Sequence, residues 1–460
     1  MRYDAVIIGA GMSGLAAAMR LAMFDKRVLV LERHAVWGGL NSFYSLGGRR
    51  FDVGLHALTN YVPPRTRNAP LTKLLRQLRI RHEELRLGEQ QLSEILFPGL
   101  RLTFTNTFEH FEDQVVSAFP AERDRFAELV RAVREHVVAE DGIREESGRA
   151  KLREYLRDPL LIEALCLPCC YYGSAQEDDI EWQQFVVLFK SLFLEGLARP
   201  EGGIRTMINL LIKRYRALGG EIRTRAGVRE VLVDGGAARG VVLDDGTEIE
   251  ADCVFSSAGW VETMGLVPGS PSVPADEVGT LTFLESISVL DRMPATLGHE
   301  AATSFYSTQE RFDYRPPSEL VDVRSGVVSS PNNFDAQAPP EEGMMRLTVL
   351  ADLERFVRFA EPEYRAAKLE AADQAIAAAT TFFPDWRPHT VFRDVFTPRT
   401  IRYFTGHTNA AVYGSPKKRL TGETGIEGLF LCGTDQGYLG VIGAMVSGVA
   451  MANRHALVAA

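Results

Sequence analysis

Three glycines and one acid are the first residues in this chain whose types and spacing suggest chemistry. Gly9, Gly11 and Gly14 stand in the run Gly9-Ala10-Gly11-Met12-Ser13-Gly14, after the apolar, β-branched stretch Tyr3–Ile8 and before an Ala- and Leu-rich run. Strand, glycine turn and helix, in that order, form a site for the pyrophosphate of a dinucleotide. Gly9 permits the tight turn, Gly11 lets the backbone approach the phosphates, and Gly14 lets the helix pack close to the strand. Free N–H groups and the dipole at the helix N-terminus then favour negative charge. A second apolar run ends in Glu32, at the distance from which a carboxylate reaches a ribose 2′-hydroxyl. An acid there argues against a 2′-phosphate, and so against NADP.

His56 is a different kind of candidate. It is the one polar side chain in Gly54-Leu55-His56-Ala57-Leu58, and imidazole accepts or delivers a proton near neutral pH. The bland reading is a histidine that only hydrogen-bonds a neighbouring backbone group. Cys166-Leu167-Pro168-Cys169-Cys170 contains a C-x-x-C spacing, but it lies between apolar residues rather than at an electropositive helix start. Core thiols are therefore expected, and no second ligand pair follows at zinc spacing. Cys253 and Cys432 sit in apolar strands, and five cysteines do not make a disulfide framework. No metal site is expected.

The elements that must position these residues are legible in outline. The chain has 460 residues, 46% of them hydrophobic, enough for a large core and two or three domains. Its 51 basic and 60 acidic residues give a net charge of −9, a poor match for nucleic acid. Only two residues precede the first strand, so a signal peptide is not expected, and no apolar run reaches the roughly 18 residues of a membrane span. A cytoplasmic protein is expected, with peripheral membrane contact as an open alternative.

Beyond Tyr61 the pattern changes. Residues 71–78 have helical spacing, and residues 92–104 read as short strands turning at Pro98-Gly99. Residues 107–138 read as two amphipathic helices with Phe111, Val115, Phe119, Phe126, Leu129 and Val133 at core spacing. Residues 182–197 predict a helix apolar nearly all round, which must be buried, line an apolar cavity or touch a bilayer. A helix at 205–218 and a meander of short strands at 221–259 follow. The stretch 329–343, rich in Pro, Asn and acids, predicts a long surface loop. Residues 347–350 read as a strand and 363–383 as a helix. Last come a buried strand ending in Asp435, a glycine turn and an apolar helix over 444–456.

Gly38-Gly39 follows Glu32, and Phe51-Asp52-Val53-Gly54-Leu55-His56 follows that pair. Here the chain resembles the FAD-dependent oxidoreductases that include amine oxidases and phytoene desaturases, in which a paired glycine after the ribose acid carries the chain along the FAD. Phe51–His56, Pro200-Glu201-Gly202-Gly203-Ile204, Thr397-Pro398-Arg399-Thr400 with Tyr413-Gly414, and the stretch from Gly433 to Gly448 look like the carotenoid isomerase, retinol saturase and phytoene desaturase branch. The resemblance implies FAD as cofactor, contacted by Gly9, Gly11, Ser13, Gly14, Glu32, Arg33, Gly38, Gly39, Leu40, Val228, Ala258, Gly433, Asp435, Val441 and Ile442. Within that set Val228 sits by the adenine through its backbone, and Asp435 accepts from the ribityl hydroxyls or lies near the phosphates. Leu40 stands where many relatives carry Arg or Lys, which leaves Arg33 to meet phosphate charge. Tyr438 and Leu439 replace the small or proline residues common in desaturases. His56 has a histidine counterpart in the retinol saturase-like relatives and is the expected catalytic residue.

The expected fold is α/β: a Rossmann-like FAD-binding domain, discontinuous in sequence (1–75, 200–268 and 420–460), with an α+β substrate domain (76–199 and 269–419). The implied activity is FAD-dependent desaturation, saturation or isomerisation of an apolar isoprenoid or polyene. Two alternatives stay open: a flavin amine oxidase, for whose aromatic cage Tyr403, Phe404 and Tyr413 are the candidates, and a non-catalytic prenyl- or lipid-binding escort of the same fold.

Overall fold

The structure, a computed structural model, describes residues 2–54, 56–137, 146–338 and 340–457. Residue 138, at the end of the second expected amphipathic helix, and residue 339, inside the expected loop, lie outside the described residues.

A parallel sheet carries the N-terminal half of the site. Tyr3–Ile8 pairs in parallel with Val28–Glu32 on one side and with Glu248–Ser256 on the other. Glu221–Thr224 extends the sheet beyond Val28–Glu32, and Leu429–Leu431 extends it beyond Glu248–Ser256. Strands buried on both faces read as continuous apolar runs, and Val28–Glu32 is buried at every position. The expected meander is therefore smaller than its sequence suggested: Glu221–Thr224 belongs to the parallel sheet, and only Val228–Asp234 and Ala237–Leu243 form an antiparallel extension on Glu248–Ser256. The helices Met12–Ala22, Ile204–Ala217 and Gly440–Ala452 pack together against this sheet.

A second seven-stranded sheet is mixed. Its order is Thr390–Phe396, Thr282–Leu290, Gly343–Ala351, Ser325–Ser329, Thr303–Ser307, Ser93–Phe97 and Leu100–Phe104. One face packs on the helix Glu361–Ala379 through Leu284, Val328, Leu347, Val349 and Ile376. Because side chains alternate across a strand, the other face presents Phe283, Phe305, Val327, Leu350, Ile95 and Phe104 to a helical layer. The amphipathic pair expected at 107–138 appears in that layer as Phe108–Ala118 and Arg123–Glu135, with its core residues buried.

Two expectations need correction. The apolar helix is α-helical only over Trp182–Phe189 and continues as a wider π-type turn, Lys190–Glu195. Gly196 ends it at φ +131°, where a Cβ would lie 2.4 Å from Asn106 Oδ1. Phe185, Val186, Leu188, Phe189, Leu192 and Phe193 are all buried in the apolar layer, so this segment is core and not a bilayer-facing surface. The stretch 329–343 is not one long loop: Ser329 ends a strand, and Phe334–Asp335 pairs with Leu87–Gln90. That strand Leu87–Gln90 also pairs with Ala198–Pro200, which straddles the expected domain boundary at 199/200.

Candidate functional site

Close packing explains two of the three glycines. Gly9 turns the chain at φ +92°, and a Cβ there would lie 2.5 Å from Ser257 Oγ; at Gly14 it would lie 2.2 Å from the carbonyl oxygen of Gly9. Gly11 differs, since a Cβ added to it meets nothing within 4 Å. The space it faces belongs to a cavity of about 610 Å³. The first helix begins at Met12, and no side chain caps its N-terminus. Its orphan N–H groups are thus free to hold a phosphate.

Glu32 lines the same cavity. Its Oε2 accepts from Ala10 N–H at 2.9 Å and its Oε1 accepts from His34 N–H at 2.9 Å. Each carboxylate oxygen keeps a second lone pair, and the two amides fix the group in position for a diol. Ala226, Val228 and Ala258 continue the wall beside it.

At the other end of the cavity lie Gly414, Gly433, Asp435 and Ala444. Asp435 is buried, and its Oδ2 accepts from Trp260 N–H at 2.6 Å while Oδ1 accepts from Ser415 N–H at 2.7 Å. Lys418, equally buried, brings its ammonium to 3.6 Å from Asp435 and donates to the Tyr413 carbonyl at 2.7 Å. Burial lowers the Lys418 pKa, and Asp435 opposes that shift. Asp435 therefore ties three chain segments into the cavity wall, a task its sequence position did not reveal.

The cavity gathers most of the expected cofactor set: Gly9, Gly11, Ser13, Glu32, Arg33, Gly38, Gly39, Leu40, Val228, Ala258, Gly433 and Asp435 all line it. Gly14 acts through helix packing. Val441 and Ile442 stand elsewhere: the last helix starts at Gly440, not at 444, and both side chains are buried in the core against the first helix. Arg33, an exposed residue, lies beside the segment 403–408, with its guanidinium 2.7 Å from where a Gly406 Cβ would stand. That segment supplies lining residues the sequence reading missed, Phe404, Thr405, His407 and Thr408, together with His34 and Glu262. Phe404 and Thr405 end the helix Pro398–Thr405, and His407 and Thr408 follow it directly; nothing in the local pattern of this segment marks it as a cavity wall.

His56 is not among the residues lining this cavity. Its Nδ1 lies 2.6 Å from Ser329 Oγ and its Nε2 lies 3.0 Å from Thr348 Oγ1. Its carbonyl accepts from Arg199 Nη1 at 3.1 Å. Around it runs a buried ionic network, with Arg199 paired to Asp52 at 2.6 Å and Arg346 paired to Glu285. Arg346 also donates to the Asp52 carbonyl at 3.2 Å. Burial, then the charges of Arg346 and Arg199, hold the His56 pKa well below its usual value. Burial likewise lowers Arg199 to about 10, against the opposing pull of Asp52, so the guanidinium stays charged.

Ser329, Thr348 and Glu285 lie on the sheet face that carries Val327 and Leu350. His56 thus meets the apolar layer at its polar edge. Tyr172 and Tyr413 pack against that layer and, like His56, keep part of their surface accessible, although burial pushes both phenols far up. The three aromatic residues that suggested an amine cage do not converge. Tyr403 and Phe404 lie at the surface beside His34, while Tyr413 packs against Phe283 at 74° and donates to the Tyr171 carbonyl.

All five cysteines are free, and Cys166, Cys169 and Cys170 are wholly buried in the helix Pro159–Gly173. Burial pushes the Cys166 thiol up to about 12, against the pull of Arg149. Among the described residues no cluster of His, Cys, Asp and Glu has metal-binding geometry, and no helix is long and apolar enough to cross a membrane.

Comparison with known proteins bears on this geometry. The family model described as flavin containing amine oxidoreductase matches residues 12–454. Prolycopene isomerase of Arabidopsis thaliana is 25% identical, over 99% of this chain and 82% of its own length. All-trans-retinol 13,14-reductase of Danio rerio is 23% identical, over 98% of this chain and 86% of its own. Among solved structures, an oxidoreductase from Methanosarcina mazei superposes with a TM-score of 0.69 at 19% identity, covering 98% of this chain and 99% of that one.

Proposed function

We propose, on the premise that the chain belongs to the family of flavin-containing amine oxidoreductases, that it acts on carbon–carbon bonds of an apolar isoprenoid or polyene. It is an FAD-dependent oxidoreductase, and the cavity fits that cofactor. Gly11 leaves the phosphate path open, the first helix offers uncapped N–H groups, and Glu32 is fixed for a ribose diol. Bound there, FAD supplies two-electron hydride chemistry, while the protein supplies orientation and a dry site.

The observation that carries the substrate reading is the aromatic and aliphatic sheet face with its helical cover, bordered by Tyr172, Tyr413 and His56. A hydrocarbon chain gains roughly 0.8 kcal/mol per buried CH₂ and needs no charged anchor. An amine needs facing aromatic rings near the reacting carbon, whereas Tyr403 and Phe404 pair edge-on with each other at the surface and Tyr413 packs on Phe283. Prolycopene isomerase and retinol reductase are named for polyene substrates, which supports the same reading. His56 moves the proton that a double-bond shift or saturation requires beside hydride transfer. We place such an enzyme in the cytoplasm, taking its substrate by peripheral contact with a lipid surface.

The test is turnover of FAD-loaded protein on a panel of polyenes and amines, with product analysis and peroxide detection. Conversion of a polyene is expected, and His56→Ala should lose at least about tenfold in turnover, about 1.4 kcal/mol in the barrier, while keeping its flavin. Peroxide release on amines with no polyene conversion would replace this reading by amine oxidation.

A further inference from the structure

The cavity that fits FAD is short of positive charge. Its charged lining residues are three acids, Glu32, Glu262 and Asp435, and one cation, Arg33, which is exposed. Asp435 stands at the phosphate end. A Cβ on Gly433, two residues before it, would lie 2.9 Å from Ser13 Oγ in the first turn of the helix that offers its N–H groups. Glu262 stands close by, since a Cβ on Gly259 would lie 2.5 Å from Glu262 Oε2 and 3.3 Å from Asp435 Oδ2. Like charges so near one another, with a dianionic pyrophosphate added, oppose binding unless a cation offsets them. The helix N-terminus contributes only a partial charge.

Asp435 has no freedom to turn away. Each of its oxygens already accepts one backbone N–H, from Trp260 and from Ser415, and Gly414 packs so closely against Oδ1 that it leaves no room for a Cβ. Lys418 supplies the cation. Its ammonium, buried as deeply as the carboxylate, lies 3.6 Å from Oδ1 and is held there by the Tyr413 carbonyl at 2.7 Å. The neighbouring cations are engaged elsewhere: Lys417 pairs with Asp276 at 2.5 Å, and Arg419 pairs with Glu277 at 2.8 Å while its guanidinium covers the Trp260 ring. Lys418 is not among the residues lining the cavity, so its effect on a cofactor passes through Asp435.

We infer that Lys418 is a positioning residue of the FAD site: its ammonium offsets the Asp435 carboxylate, so that this acid stays an anion fixed beside the pyrophosphate. Each oxygen of that carboxylate keeps a lone pair for a cofactor hydroxyl. Without the ammonium, the same carboxylate would be a buried, unpaired charge facing a dianion, which weakens binding. FAD affinity is read without any substrate, so this role and the polyene reading stand or fall separately.

The experiment titrates flavin-free protein with FAD at pH 7 and follows the quenching of flavin fluorescence, with thermal unfolding scans to show that each variant is folded. Lys418→Gln keeps a donor for the Tyr413 carbonyl and loses the charge, and its affinity for FAD should fall at least about tenfold. In an Asp435→Asn background there is no carboxylate to offset, and adding Lys418→Gln should change affinity by no more than about twofold. Lys417→Gln removes a charge one residue away, from a surface pair, and should bind FAD as the wild type does. Wild-type affinity in Lys418→Gln, an equal loss in both backgrounds, or the same loss in Lys417→Gln would overturn the inference. Should Lys418→Gln fail to fold by itself, the Asp435→Asn leg decides: restored folding with affinity within about twofold of Asp435→Asn upholds the charge role, and a larger loss overturns it.

Discussion

Replacing Gly11 with Val puts a branched side chain into the space that the phosphates need, while meeting no protein atom nearby. The expected outcome is a folded protein that no longer binds FAD, read from flavin absorbance and a thermal unfolding scan; a flavin-replete variant of normal stoichiometry would contradict the cavity assignment. His56 gives a second prediction at this scale. Its folded pKa lies well below the usual 6.5 because burial, Arg346 and Arg199 all disfavour the imidazolium. The unfolded chain then takes up a proton that the native state refuses. Stability from this residue is therefore complete above about pH 6.5 and is lost as pH falls from there towards the folded pKa. Unfolding midpoints measured from pH 7.5 downwards should fall less steeply in His56→Gln than in the wild type. Parallel slopes would show that His56 titrates in the native state as it does in the unfolded chain.

At the scale of elements, the helix Pro159–Gly173 shows how burial decides what a C-x-x-C spacing does. Asp158 caps it by accepting from the N–H groups of Leu160 and Leu161. The cap starts a helix whose thiols all point into the apolar layer, and burial keeps them protonated. A thiol without thiolate character neither attacks disulfides nor binds zinc. The Cys166→Ser/Cys169→Ser variant should keep its turnover per bound flavin and lose stability, on the order of 1–3 kcal/mol for each buried hydroxyl that finds no partner. Denaturant unfolding beside single-turnover rates separates the two effects. A stable, flavinated double variant with selectively lost turnover would restore a redox role.

For the whole molecule, the cavity is assembled from stretches far apart in the chain. Residues near 8–41, 226–266, 404–414 and 432–444 all line it, so a bound cofactor joins them and its binding energy becomes folding energy. At a free FAD concentration of 100 times Kd the stabilisation is about 2.7 kcal/mol. The unfolding midpoint of flavin-free protein should rise with the logarithm of added FAD, and FMN, which lacks the adenosine half held near Glu32 and Val228, should give a smaller rise. Equal effects of the two flavins would show that the Glu32 end contributes nothing. The network of Asp52, Arg199, Arg346 and Glu285 joins the β-hairpin that follows Gly39 to the second sheet.

The sequence by itself determined the features that depend on neighbours along the chain. A β-branched run, three glycines and a small-residue helix specify the first turn, because dihedral freedom and helix start are local properties, and the acid at Glu32 follows from the length of that unit. The amphipathic pair within 107–138 was legible for the same reason, its core residues repeating at helical spacing. What the tertiary structure decided are the contacts that local rules do not encode. Ser329 and Thr348, which hold the His56 ring, lie 273 and 292 residues away from it, and strand register in the second sheet puts them there. Phe404 and His407 reach the cavity because a helix end from another part of the chain packs beside Arg33, and Val441 and Ile442 leave it because the last helix starts at Gly440 and turns them into the core. Side-chain direction at such places is fixed by which faces pack together, a choice made by the burial of the whole chain and not by any one segment.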